Sequence, residues 1–395
     1  MNQLKEDLRH EKKVPGLVLT GGGARAAYQA GVLHQIAYWL SKENRREFDF
    51  PFKILTGTSA GAINATAIAC AGRNFYQSTE RMLRVWENFS SDQVFYSDSF
   101  GIIRTGARWL SALSIGWMLR KRPKSLLDNS PLAGLLHQML HFRRMDEALE
   151  RGHLHAVAVT ASSYTSGRSV TFFQTAANIQ PWVRSQRAAV NDRISVEHLM
   201  ATSAIPFVFP STKLKFDGHL EWFGDGSMRH LAPISPAIHL GADKVLVVGS
   251  SQTEETLVSR DVVEKGYPSL AQIAGHAMAS IFLDSISADI ERLSRVNKTL
   301  SILPPELSDK TPLKPIDLLV INPSKRIDEL AARHIRDMPR AVRTLLSALG
   351  ATEVGGASLA SYLLFEANYT RELIRMGIAD TLAMKDEVYR FFDLV

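Results

Sequence analysis

Residues 52–71 read FKILTGTSAGAINATAIACA. An apolar run, Phe52–Thr56, leads into Gly57-Thr58-Ser59-Ala60-Gly61, and a small-residue helical pattern follows from Ile63 to Ala71. Short apolar runs of this kind form the strands of buried parallel sheets. The same order occurs once upstream. Gly16–Thr20 (GLVLT) is followed by Gly21, Gly22 and Gly23, then by a helical period through Ala27, Tyr28, Ala30, Val32, Leu33, Ile36, Ala37 and Leu40. Strand, tight loop and helix, twice over, predict an α/β fold around a mostly parallel sheet.

The pattern continues downstream. Strands are predicted at Leu154–Thr160, Ser169–Gln174, Glu221–Phe223 and Lys244–Val248. A helix is predicted over Ser195–Ala204, with Ser195 as N-cap and Pro206 as stop, and a short one over Pro236–Leu240, stopped by Gly241. The texture changes near Gly249. Residues 250–265 are polar and acidic and read as a loop, Leu270–Val296 has a long helical period, and Ile316–Ile321 reads as one more strand. Helices broken near Gly350 and Gly355-Gly356 follow. The expected organisation is a charged segment over 1–14, an α/β domain over 15–249 and a mainly helical region over 250–395.

With 395 residues, 45% hydrophobic and 22% charged, the composition excludes a disordered or collagen-like chain. A single cysteine, Cys70, leaves no internal disulfide and no cysteine-based zinc site. It sits on the apolar helix after Ser59 and reads as buried and inert. Residues 1–13 carry charges of both signs and no apolar run, so no secretory signal is read. No stretch reaches the roughly 18–20 apolar residues of a membrane span. A cytoplasmic protein is expected. The formal charge of +6 suits an anionic partner. No zinc-finger spacing, RNA-binding signature or long basic block points to nucleic acid.

Gly57-Thr58-Ser59-Ala60-Gly61 is a G-x-S-x-G sequence. A nucleophilic serine must be lifted from its sheet on a sharp strand-to-helix turn, and flanking glycines leave room for that turn. The helix behind it points its N-terminus at the site, which favours developing negative charge. Gly21-Gly22-Gly23-Ala24-Arg25 offers backbone N–H groups at a helix start, an arrangement that binds anions. In a serine hydrolase that anion is the oxyanion of the tetrahedral intermediate. Gly21-x-Gly23-x-x-Ala26 also fits a dinucleotide fingerprint, which requires an acid at the end of the next strand. That strand ends in Leu55-Thr56-Gly57-Thr58-Ser59, and the dinucleotide reading fails. Asp225, in Phe223-Gly224-Asp225-Gly226-Ser227, stands between glycines after a predicted strand; by itself Gly-Asp-Gly is more often a turn than a catalytic site.

Taken together, four ordered stretches resemble the patatin-like phospholipase family. They are GGGARAAYQAGVL at 21–33, GTSAGA at 57–62, ATSAIPFVFP at 201–210 and GDGSMRHLAPISPA at 224–237, and the likeness covers Gly16–Val248. The resemblance implies a three-layer fold with a mostly parallel central sheet, to which the helical C-terminal region is added. It implies a lipid acyl hydrolase acting on phospholipids or lysophospholipids through a Ser–Asp dyad and an acyl-enzyme, with no metal and no cofactor. Ser59 would be the nucleophile and Asp225 its general base. Gly22 and Gly23, with the Arg25 backbone, would form the oxyanion hole, and Gly57 and Gly61 would frame the nucleophile elbow. Ala26 and Ser227 depart from the family's usual residues, and both substitutes are small.

Two other readings stay open. One is an ordinary Ser-His-Asp esterase with His230, His239 or His276 as base; the other is a non-catalytic lipid- or partner-binding protein that keeps the fold. The Arg25 side chain reads as a phosphate ligand or a structural pair. Residues 101–124, GIIRTGARWLSALSIGWMLRKRPK, hold six basic residues and no acid, with Trp109 and Trp117 near one face of a helix over 108–120. Tryptophan with a basic flank is the composition of an interfacial helix. The expectation is a cap over the acyl site that makes peripheral contact with anionic membrane, against the plainer one of a cap helix packed on the core.

Overall fold

In the computed structural model, residues 13–43, 49–72, 74–97, 125–229, 232–251, 285–304, 307, 310–348 and 357–394 are described. Residues 101–124 and the first part of the long period at 270–296 lie outside them. Ten strands share one sheet among these residues: β1 (Pro15–Leu19), β2 (Ile54–Thr58), β3 (Ala156–Ser163), β4 (Ser169–Thr175), β5 (Val183–Arg184), β6 (Arg187–Asn191), β7 (Thr212–Phe216), β8 (His219–Gly224), β9 (Lys244–Val248) and β10 (Asp317–Ile321). The order is β10-β9-β1-β2-β3-β4-β6-β5, and β8 pairs with both β3 and β7. From β10 to β3 every pairing is parallel.

The parallel strands read as unbroken apolar runs because both of their faces are covered. Leu17, Leu19, Leu55, Val157, Val159, Leu246 and Val248 enter one core, whereas Val18, Ile54, Ala156, Ala158, Val245 and Val247 enter the other. In chain order the helices are α1 (Ala27–Lys42), α2 (Ala60–Ala71), α3 (Phe75–Glu87), α4 (Ser130–Met139), α5 (Phe142–Glu150), α6 (Val196–Thr202), α7 (Ser235–His239), α8 (Ser285–Ile302), α9 (Ile327–His334), α10 (Arg340–Ala348), α11 (Ala357–Leu363), α12 (Ala367–Ala383) and α13 (Lys385–Phe391). Among the described residues, α7 and α8 cover the second core and the other helices pack on the first. This is a mostly parallel central sheet with helices on both sides. No helix among the described residues is long and apolar enough to cross a membrane.

Strand β2 runs two residues beyond its apolar stretch. Gly57 pairs with Leu19 and Val159, and Thr58 with Thr160, so pairing carries the strand to the serine itself. The helices α3, α4 and α5 had no counterpart in the sequence reading. Their buried residues are thinly spread: in α5, FRRMDEALE, only Met145, Ala148 and Leu149 are buried.

The C-terminal residues add more than helices. β10 extends the sheet by parallel pairing with β9. Helix α12 lies across α1, where Tyr28 Oη donates to Asp380 Oδ2 at 3.0 Å. The two helices touch backbone to backbone. A Cβ on Gly31 would sit 2.2 Å from the Ile374 carbonyl oxygen, and one on Gly377 would sit 2.3 Å from that of Tyr28. Forcing a methyl into such a contact costs about 1–3 kcal/mol. Gly31→Ala should therefore lower the unfolding free energy by an amount in that range, seen as a lower urea midpoint with an unchanged m-value. A midpoint equal to the parent's would show that the crossing has slack.

Candidate active site

One residue separates β2 from α2, and the chain must reverse within it. Ser59 does so at φ 53° and ψ −132°. A non-glycine residue at positive φ costs on the order of 1–3 kcal/mol and persists only when its surroundings hold it. Three contacts do. The Ser59 amide donates to Thr202 Oγ1 at 2.8 Å, and Thr202 Oγ1 donates onward to the Thr160 carbonyl at 2.5 Å. The Ser59 carbonyl accepts from the Ala62 amide at 2.9 Å. The glycines of the motif let the helix start hard against the sheet: a Cβ at Gly61 would lie 2.4 Å from the Leu19 carbonyl oxygen, and one at Gly57 would lie 2.6 Å from the Ala62 nitrogen.

Asp225 lies at the end of β8 and is wholly buried. Its amide donates to the Ala204 carbonyl at 3.0 Å. One carboxylate oxygen, Oδ1, accepts from the Ser227 amide at 2.9 Å. The other, Oδ2, is buried and has no hydrogen-bond partner among the described residues. Burial pushes the carboxyl up to about 6, against the Ser59 hydroxyl and the Ser227 amide and hydroxyl, which pull it down. The Ser59 hydroxyl thus reaches the carboxyl's surroundings without forming an aligned bond to Oδ2.

The glycine loop closes the third side. A Cβ on Gly21 would stand 3.0 Å from Ser59 Cβ and 2.5 Å from Ser227 Oγ. The amides of Gly22 and Gly23 donate to no acceptor among the described residues. The Arg25 amide differs: it donates to the Gly22 carbonyl at 3.1 Å and closes the turn. Gly23 takes φ 55° and packs so tightly that a Cβ would meet the Tyr362 carbonyl oxygen at 2.3 Å. The Arg25 side chain is a structural pair. It is 2% exposed, donates from Nε to Ser361 Oγ at 2.7 Å and from Nη2 to Asp328 Oδ1 at 2.5 Å, and stacks on the Tyr362 ring at 4.3 Å. Burial alone would lower its pKa, but Tyr362 and Asp328 outweigh it and the guanidinium stays charged.

On the other side of Ser59 lies an apolar cavity of about 790 Å³, counting its open mouth. Its walls include Ile63, Trp86, Leu136, Ile205, Phe209 and Phe365. Two polar side chains join Ser59 there. Ser203 Oγ is buried with no hydrogen-bond partner among the described residues. Asn64 is fully engaged: it accepts from Trp86 Nε1 at 3.0 Å and donates to Gln29 Oε1 at 3.0 Å, and Gln29 donates to the Thr20 carbonyl at 2.8 Å. That buried chain fixes one wall of the cavity to the strand before the glycine loop.

The structure thus brings Ser59, Asp225, Gly22 and Gly23 together. His239 stands apart, on the side of the second core, its ring stacked on Trp182 and bonded to Ser235. His230 and His276 lie outside the described residues. No group of three or more potential metal ligands occurs among the described residues. A family model described as patatin-like phospholipase matches residues 17–238, more than half of the chain. The chain belongs to the patatin-like phospholipase family. The matched span contains the glycine loop, Ser59 and Asp225, whereas Asp328, Ser361 and Tyr362 lie beyond it.

Among solved structures, the human GIVD cytosolic phospholipase A2 in complex with methyl gamma-linolenyl fluorophosphonate and terbium chloride matches at 13% identity and a TM-score of 0.46, over all of this chain and 62% of that one. VipD from Legionella pneumophila matches at 13% identity and a TM-score of 0.30, over 95% of this chain and 91% of that one. The chain therefore spans less than two thirds of the human phospholipase chain. No curated protein matches it.

The scaffold residues were invisible to motif reading. Thr202 sits inside the block at 201–210, yet a lone threonine gives no sign that it bridges Ser59 and Thr160. The buried carboxyl offers a test. Because the Asp225 pKa is raised in the fold, its contribution to stability is present at low pH and is lost as pH rises through about 6. Asparagine keeps the acceptor for the Ser227 amide and stays neutral. Asp225→Asn should raise the melting temperature at neutral pH and above, and the gain should shrink as pH falls toward about 4. Thermal unfolding across a pH series measures this; an unchanged or lower melting temperature at neutral pH would contradict it.

Proposed function

We propose that the protein hydrolyses acyl esters of phospholipids or lysophospholipids, with Ser59 as nucleophile and Asp225 as general base. One juxtaposition carries this reading. A serine held at positive φ stands between a buried carboxylate with an unpartnered oxygen and an apolar cavity suited to a fatty-acyl chain.

With the acyl chain in the cavity, the ester carbonyl lies over Ser59. Ser59 Oγ attacks the carbonyl carbon as its proton passes to Asp225 Oδ2. The contact between the two tightens when substrate aligns them. The carbonyl oxygen becomes an oxyanion facing the Gly22 and Gly23 amides, and each well-aimed donor of this kind is worth about 2.7–4 kcal/mol of barrier. The Arg25 amide keeps the loop's turn closed and the Arg25 guanidinium keeps the loop seated. Collapse of the intermediate expels the alcohol, which takes the proton back from Asp225 and leaves an acyl-Ser59. Water, giving its proton to Asp225, then attacks the acyl carbonyl; Ser59 Oγ leaves, takes that proton back from Asp225, and the fatty acid is released.

Fluorophosphonate labelling tests the nucleophile. Intact protein should take a single adduct on Ser59, and Ser59→Ala should lose both the adduct and ester turnover by at least about 10⁴-fold. Wild-type turnover in that variant would end the assignment. The base makes a second demand. Asp225 must be ionised to accept the proton, so kcat/KM should fall about tenfold per pH unit below about 6 and level off above it. His239→Ala should leave both the rate and the profile in place; a folded variant without activity would transfer the base role to histidine.

A further inference from the structure

Among the described residues, the hairpin formed by β7 and β8 pairs with the rest of the sheet only at its base, where Phe223 and Gly224 meet Ser163 and Ser162 at the C-terminal end of β3. The next residue after β8 is Asp225. The hairpin therefore rises from the rim of the candidate active site. Its turn is Asp217-Gly218, with φ values of 49° and 80°, the two-residue form whose twist suits a hairpin. At about 3.3 Å per residue, the turn stands roughly 20 Å from Asp225.

The two faces of this hairpin differ in kind. Leu214, Phe216 and Phe223 are buried, and Glu221 turns inward to accept from Ser163 Oγ at 2.5 Å and Ser166 Oγ at 2.8 Å. The opposite face shows Lys213, Lys215, Leu220 and Trp222 to solvent. Leu220 is 68% exposed and Trp222 44% exposed. The register sets each lysine opposite an apolar partner, Lys213 against Trp222 and Lys215 against Leu220, and Lys213 Nζ lies 4.9 Å from the Trp222 ring centre. One further exposed aromatic adjoins this face: Tyr164, whose amide donates to the Trp222 carbonyl at 2.8 Å, packs over Gly224.

Exposing leucine and tryptophan side by side is costly unless something covers them. The cover must also satisfy two cations beside the apolar pair. An indole at headgroup depth, with lysine stems lying along apolar surface and ammonium groups at the phosphates, meets that demand. We propose that the Lys213–Lys215–Leu220–Trp222 face docks the protein onto an anionic lipid surface and holds the rim of the site against it. The choice of lipid as the occupant rests on the acyl-hydrolase reading above; the shape and charge of the face do not.

Co-sedimentation of the full chain with phosphatidylcholine vesicles, with and without phosphatidylglycerol, tests this beside turnover of a monomeric short-chain ester. The parent should bind the anionic vesicles and release them at raised ionic strength. Lys213→Gln with Lys215→Gln should weaken binding roughly fivefold per lysine. Leu220→Ser with Trp222→Ser should weaken it at least as much, and both variants should keep parental turnover of the monomeric ester. Absence of binding by the parent, or parental binding by both variants, overturns the proposal and gives this face to another partner. Loss of vesicle binding in both variants, with no ester turnover even in the parent, keeps the docking face and removes the hydrolase reading.

Discussion

The hydrogen bond from the Ser59 amide to Thr202 Oγ1 is the constraint on which the site depends. It joins three elements that are far apart in the chain. The elbow lies between β2 and α2, Thr202 closes α6, and the hydroxyl's own proton goes to Thr160 on β3. Without it a serine at φ 53° has an easier conformation to fall into. The same short block holds the acid, because Ala204 accepts from the Asp225 amide. Two residues of one turn thus set the distance between hydroxyl and carboxylate.

The remaining geometry is held from the far end of the chain. Within the glycine loop the turn is closed by the Arg25 amide on the Gly22 carbonyl, and Gly21, Gly22 and Gly23 have no side chains with which to anchor it. Arg25 supplies the anchor by reaching away from the serine into α9 and α11. Its charge is buried but paired with Asp328 and stacked on Tyr362, the condition under which a buried cation is tolerable. The protein gives up stability at one carboxyl, Asp225, and recovers rigidity at this guanidinium.

The fold and most of the site were legible because they rest on short-range signals. Buried parallel strands announce themselves as apolar runs, and β9 spans the residues expected for it, Lys244–Val248. Gly57 and Gly61 around Ser59, and Gly226 after Asp225, mark places where backbone approaches backbone. What escaped was of two kinds. The helices between 75 and 150 bury few residues among many charges, so their period is faint. The contacts that hold the site, such as Thr202 to Thr160 or Arg25 to Ser361, bridge 42 and 336 positions, and no local pattern encodes them. The Arg25 backbone was expected to line the oxyanion hole. Its amide is used inside the turn instead, a difference set by a 3₁₀ geometry that the letters GGGAR do not specify.

The seating of Arg25 bears on where the gene can be cut. The recognisable family segment ends at residue 238. A fragment trimmed there would retain every motif and look complete on paper. It would lack β9 and β10, which continue the sheet beyond β1, and Asp328, Ser361 and Tyr362, which enclose the guanidinium. An arginine side chain would then be left over a hollow at the base of the glycine loop. A unit that keeps both the sheet and the seat of the guanidinium therefore runs past Tyr362, well beyond the boundary of sequence similarity.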